Sequence, residues 1–118
     1  MTDEIIRVLT QVASDTEWDI SINLDSNFVI FTYAGVYSYE IRIDSLEMKE
    51  ILKGIENKVY LFSAKSLTAE ILERLDSTGV VLAEMPQSKV NEIYNHATLV
   101  GKKLIFLRDH LSLLACAA

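Results

Sequence analysis

The chain has 118 residues, with 11 Lys and Arg against 17 Asp and Glu, for a formal net charge of −6. That length fits one domain, residues 1–118, able to bury roughly two thirds of its unfolded surface without disulfides or metals. The acidic balance argues against a protein built to hold a phosphate backbone, since that affinity comes from Lys and Arg. The only basic cluster is Lys102, Lys103 and Arg108, which reads as a solvated edge. One cysteine, Cys116, excludes an internal disulfide and a cysteine-based zinc site. The acidic start M-T-D-E-I-I has no apolar signal core, and no run approaches the ~18 apolar residues of a membrane span. The expectation is a cytoplasmic protein with no membrane partner.

Thr2 and Asp3 can cap a first helix, along which Ile5, Ile6, Leu9, Val12 and Ala13 recur at helical spacing; it should end near Ser14 to Thr16. Trp18, Ile20, Ile22 and Leu24 then alternate with polar residues, the pattern of a half-buried strand. Asp25, Ser26 and Asn27 supply the turn. Phe28 to Tyr33 is almost wholly apolar and fits a strand covered on both faces. Ala34-Gly35 closes a hairpin onto a third strand. There Tyr37, Tyr39, Ile41 and Ile43 share one face, and Val36, Ser38, Glu40 and Arg42 the other. These connections are short enough for an antiparallel meander.

The period changes at Asp44-Ser45-Leu46-Glu47, a capping-box pattern, and Leu46, Ile51, Leu52 and Ile55 give the following helix its apolar face up to Asn57. Lys58 to Ser63 reads as a short buried strand, Ser66 opens a helix that stops at Gly79, and Val80 to Ala83 reads as another strand, ended by Pro86. Ser88 opens a further helix with Val90, Ile93, Tyr94 and Ala97 inward, so residues 88–118 form a C-terminal extension. Leu104 to Leu107 fits a strand, and Leu104, Leu107, Leu111 and Leu114 fit a helical stripe equally well. The expected fold is α/β: a mixed sheet, with a three-stranded meander followed by parallel strands, and helices on both faces.

In its order of elements, from about Glu4 to Met85, the chain resembles the restriction-endonuclease-like superfamily, within it the Mrr-type and archaeal Holliday-junction-resolvase-like branches. The run V-Y-L-F-S-A-K-S-L-T-A-E-I-L-E-R-L-D-S-T-G-V-V-L-A-E looks like that family's later strand-helix-strand unit, and Y-E-I-R-I sits where its catalytic strand lies. The resemblance implies a site in which carboxylates hold Mg²⁺ or Mn²⁺, which activates water for phosphodiester cleavage. Glu40 matches the acidic position and Ile41 the spacer, with Arg42 where the family keeps Lys. A guanidinium stays protonated and cannot serve as a base. Asn27 falls near the family's Asp, so an active site would need Asp25, Glu40 and Glu4 to converge as metal ligands, with Glu40 and Arg42 as the catalytic pair. The alternative is a same-face ion pair between Glu40 and Arg42 on a degenerate scaffold.

His96 and His110 lack a second ligand at zinc-site spacing. Ser63, Lys65 and Ser66 stand before a helix N-terminus, where backbone N–H groups bind an anion or simply receive a cap. Tyr33, Tyr37 and Tyr39 suit base stacking or core packing. From Leu104 onward only Arg108, Asp109, His110 and Ser112 are polar, which marks Leu107, Leu111 and Leu114 as homodimer or partner contacts. Taken together, the sequence suggests a non-catalytic, nuclease-like interaction or assembly module, a structural partner of a nucleic-acid-processing enzyme with weak DNA contact at most. The competing reading is a metal-dependent DNA endonuclease with a rearranged site.

Overall fold

The structure is a computed structural model describing residues 2–35 and 37–117, with side chains over residues 3–35 and 37–114. Its elements run α1 (Thr2–Thr16), β1 (Asp19–Asn23), β2 (Phe28–Tyr33), β3 (Tyr39–Ile43), α2 (Met48–Leu61), α3 (Ala64–Ser77), a 3₁₀ turn (Leu82–Glu84) and α4 (Gln87–Ala117). The protein is thus mixed α/β, with four helices and one three-stranded antiparallel sheet in the order β1-β2-β3 among the described residues.

The meander follows the alternation in its sequence. Across the strands Ile20, Phe31 and Ile41 form one row and Ile22, Val29 and Ile43 the next, all on one face. Val29, Phe31 and Ile41 are fully buried there, against Leu9 and Val12 of α1, Ile51 and Ile55 of α2, and Leu104, Leu107 and Leu111 of α4. The other face carries Asp19, Ser21 and Asn23, then Phe28, Ile30 and Thr32, then Glu40 and Arg42. Among the described residues no helix covers it, and Phe28 and Ile30 are only half-buried. The expectation of cover on both faces of β2 is therefore corrected. An apolar run in a central strand does not require a second layer when its outward residues shelter beneath neighbouring side chains.

The turns are local in origin. Between β1 and β2, Asn27 adopts φ 54° and Ser26 N–H donates to Asn23 Oδ1 at 2.8 Å, a conformation that Asn tolerates well. After α1, Glu17 takes φ 64°, and Trp18 N–H donates back to the Ala13 carbonyl at 2.9 Å. This six-to-one closure satisfies a free helix-end carbonyl and drives Trp18 into the core.

The two expected parallel strands are helix and turn instead. Lys58 to Leu61 continues α2, because Ile51, Ile55 and Val59 extend one stripe along it, and Phe62 and Ser63 are the extended elbow into α3. Tyr60 and Leu61 point out, 86% and 67% exposed, where a buried strand would have hidden one of them. Glu47, rather than Asp44, stands at the start of α2, and its N–H donates to Ser45 Oγ at 3.1 Å. After α3, Gly79 at φ 99° lets Val80 N–H return to the Leu75 carbonyl at 3.1 Å. Val80 to Leu82 then runs exposed into the 3₁₀ turn.

Residues 88–117 lie within one helix that packs against α1, α2 and α3. Leu104 to Leu107 is helical, within the single 31-residue α4, which at 1.5 Å per residue spans ~46 Å. The long helix explains the shape: the radius of gyration is 16.0 Å, against ~13.5 Å for a globular chain of this length. Its C-terminal half closes the main core. Its N-terminal half forms a second cluster, in which Ile93, Ala97 and Val100 meet Leu67 and Ile71 of α3. Tyr33, Tyr39 and Phe62 touch both clusters and join them. Gly101 allows this, since a Cβ there would lie 2.6 Å from Phe62 Cε1.

Candidate functional site

Glu40 and Arg42 lie on the open face of β3, opposite Thr32 and Ile30 of β2. They do not pair with each other. Arg42 Nε donates to Asp44 Oδ1 at 2.8 Å, and its guanidinium carbon stands 3.9 Å above the Phe28 ring. Both partners of the ion pair are more than half exposed, so it stabilises by no more than ~1 kcal/mol. The expected Glu40–Arg42 pair is replaced because Asp44, two residues on, shares their face and is the one to reach the guanidinium.

The remaining carboxylates stand apart. Asp25 belongs to the turn beyond Asn23 and Phe28, whereas Glu40 faces Thr32, four residues up the strand and ~13 Å away. Glu4 lies in the first turn of α1, which packs on the inner face, while Glu40 projects from the outer one. Among the described residues no three His, Cys, Asp or Glu side chains stand close enough to share a metal ion. Asn27, where the resemblance needs an Asp, is held in a left-handed turn outside the strand ladder.

At the start of α3, Ser63 is the cap: its Oγ accepts from Ser66 N–H at 3.2 Å. Ser63, Lys65 and Ser66 are all exposed there. The three tyrosines are packing residues. Trp18 lies 5.7 Å from Tyr33 and 6.3 Å from Tyr39, centroid to centroid, and Tyr39 meets Phe62 edge-on at 6.2 Å. Burial, with Glu70 nearby, raises the Tyr39 hydroxyl above its ordinary pKa and keeps it neutral. Tyr37 packs edge-on against His96 at 5.6 Å, and His96 Nε2 stands 2.8 Å from the Tyr37 carbonyl. A carbonyl only accepts, so Nε2 carries the proton. Gly35 lies so near that a Cβ would come 2.6 Å from His96 Cε1. His96 is thus a strut between α4 and the β2–β3 loop; Val36 of that loop lies outside the described residues.

Two features were missed from sequence. Trp18 Nε1 donates to the Lys103 carbonyl of α4 at 3.0 Å, while Lys103 Nζ pairs with Glu17, clamping the α1–β1 corner to the middle of α4. Nothing local could reveal a bond spanning 85 residues. The second feature is the solvent side of α4. Leu107 and Leu111, expected at an interface, are fully buried in the chain's own core, and Leu114 is 37% exposed. Besides Leu114, the outward apolar residues of α4 are Tyr94 and Ile105, at 49% and 44% exposure, and the set Leu99, Phe106 and Leu113, at 42%, 41% and 69%. The last three recur every seven residues, a signal present in the sequence, along one line of the helix. Lys102 and Asp109 lie between them, and the Phe106 ring rests against His110 at 4.7 Å.

The fold and this surface define a mixed α/β protein in which one long helix is apolar on two sides. No protein-family model matches the chain, and neither a curated protein nor a solved structure does. No described helix is long and apolar enough to cross a membrane.

Proposed function

We propose that the protein is a non-catalytic interaction and assembly module that works through the solvent side of α4. The observation that carries this reading is the line Leu99, Phe106, Leu113, flanked by Ile105 at 44% exposure, on a helix whose opposite side already closes the core. Scattered surface apolar residues need no explanation, but an aligned set on one helix face is the form that helix-mediated recognition takes. The open sheet face supports the same reading against the endonuclease: Arg42 is held by Asp44 and Phe28, and Asp25 and Glu4 stand away from Glu40.

The test is the size of the complex that carries the chain in cells expressing it, fixed by chemical cross-linking before lysis so that dilution does not dissociate it. The reading expects a mass above the 13.3 kDa of one chain, collapsing in Leu99→Glu with Leu113→Glu. A single-chain mass after cross-linking refutes it. So does Mg²⁺-dependent cleavage of branched DNA by the purified protein that disappears in Glu40→Ala.

A further inference from the structure

We infer that the solvent side of α4 is covered by the same surface of a second copy of this chain, packed antiparallel about a two-fold axis at Phe106. The inference rests on the assembly reading above and names its partner. Along the exposed line the side chains run Leu99, Lys102, Phe106, Asp109, Leu113. That order is self-complementary. Turned end for end about Phe106, Leu99 meets the second copy's Leu113, Phe106 meets its counterpart, and Lys102 falls against the second copy's Asp109 and His110. A two-fold interface requires this reciprocity, because whatever one copy's residue touches must be touched in return.

The charges choose the direction. In a parallel pair of the same register, Lys102 would face Lys102 and Asp109 would face Asp109, two like-charge contacts flanking an apolar centre. In the antiparallel pair both are replaced by one contact of opposite charge, Lys102 with the second copy's Asp109, made twice by the two-fold axis. Asp109 also accepts from Arg108 at 3.0 Å, but a carboxylate has about four lone-pair positions, and its side chain is 57% exposed. The apolar positions suit the same geometry. Seven-residue spacing keeps Leu99, Phe106 and Leu113 on one seam, with only ~20° of drift per repeat, which a shallow helix crossing absorbs. Ile105 and Leu114, 44% and 37% exposed, stand on either flank of that seam.

Size sets the strength. Turned about Phe106, the two helices overlap over residues 95–117, a strip ~35 Å long and ~10 Å wide, or ~350 Å² per copy, against ~800 Å² in a standard interface. The dimer should therefore dissociate on dilution instead of being obligate. This is consistent with a monomer that closes its own core, using Leu104, Leu107 and Leu111 from the other side of the same helix.

Sedimentation of the full chain, from micromolar to near-millimolar concentration, tests the inference. The wild type should pass from monomer to dimer. Phe106→Glu, at a position 41% exposed, should remain monomeric with an unchanged far-ultraviolet circular dichroism spectrum. Lys102→Glu or Asp109→Lys alone should weaken association by about tenfold, since each turns two attractive contacts repulsive. The double exchange should restore it. A wild type that stays monomeric throughout overturns the inference, as does a dimer that survives Phe106→Glu or a double exchange that adds the two losses. If the purified chain is monomeric while the cellular complex persists and is lost in Leu99→Glu with Leu113→Glu, the second-copy inference fails and the assembly reading stands.

Discussion

Replacing Gly101 by Ala sets two effects of opposite sign against each other. In an unpacked helix the change stabilises by ~1 kcal/mol, through propensity alone. Here the new Cβ would stand 2.6 Å from Phe62 Cε1 and 3.1 Å from Phe62 Cδ1, where carbon atoms prefer ~3.5–4.0 Å. The shortfall is near one ångström. Phe62 cannot give way cheaply, because its ring packs edge-on against Tyr39 and belongs to both core clusters. Overpacking of this kind costs ~1–3 kcal/mol. The steric term wins, and Gly101→Ala should destabilise by about 1 kcal/mol, lowering the melting temperature by ~3–5 °C. Phe62→Leu removes the obstructing ring edge. In that background Gly101→Ala should be neutral or stabilising, a coupling of ~1–2 kcal/mol in a double-mutant cycle. Urea unfolding followed by circular dichroism on all four proteins, at one protein concentration, measures it. A rise in stability for Gly101→Ala in the wild-type background would refute the close seating of α4 on the α2–α3 elbow.

Leu107→Ala and Leu111→Ala, both fully buried, should each cost ~2–5 kcal/mol in urea unfolding, whereas Leu113→Ser, 69% exposed, should change stability by less than ~0.5 kcal/mol. Gly79→Ala should cost ~1–2 kcal/mol, although nothing lies within 4 Å of the added carbon, because the cost comes from φ 99° alone. Trp18→Phe loses the bond to the Lys103 carbonyl as well as ring volume and should cost ~2 kcal/mol, measured as a shift in the urea midpoint. Lys103 beside Glu17 holds its carboxyl below the ordinary value of 4.5; the stability it contributes is therefore present above that value and lost as pH falls through the depressed one. Glu17→Gln should flatten that acid limb of the stability curve, and an unchanged limb would show that the pair is not formed in solution.

The first half of the chain was legible because its patterns are local. α1 ends where expected, β1 to β3 follow the alternation of Ile20, Ile22, Val29, Phe31, Ile41 and Ile43, and Asn27 and Gly79 turn the chain as their chemistry requires. The second half misled at Lys58 to Ser63 and Val80 to Ala83, whose β-branched and aromatic residues resemble strands. Helical stripes are continued by single residues, here Val59, and a four- to six-residue window does not register them. The strand-helix-strand likeness to the endonuclease family rested on those two windows. The candidate site was less legible. Placing Asp25, Glu4 and Glu40 together was a matter of topology, and they fall at different ends and faces. At the C-terminus the apolar excess was real, but which half faces outward depended on where α1, α2 and α3 pack. The helix has two apolar sides, and composition alone cannot say which one is the core.

The placement of the core on α4 also sets an order in time. Val29, Phe31, Ile41 and Ile43 leave the ribosome with only α1 available to cover them, and their lid of Leu104, Leu107 and Leu111 is made last. At ~5–20 residues per second, the sheet waits ~3–14 s between the emergence of Ile43 and that of Leu111. During that interval a three-stranded meander shows its apolar face and two unpaired edges, the surface that holdase chaperones recognise and that nascent chains share when they aggregate. Slower translation across residues 44–111 lengthens that exposure, and Ile51 and Ile55 of α2 are the first to shorten it.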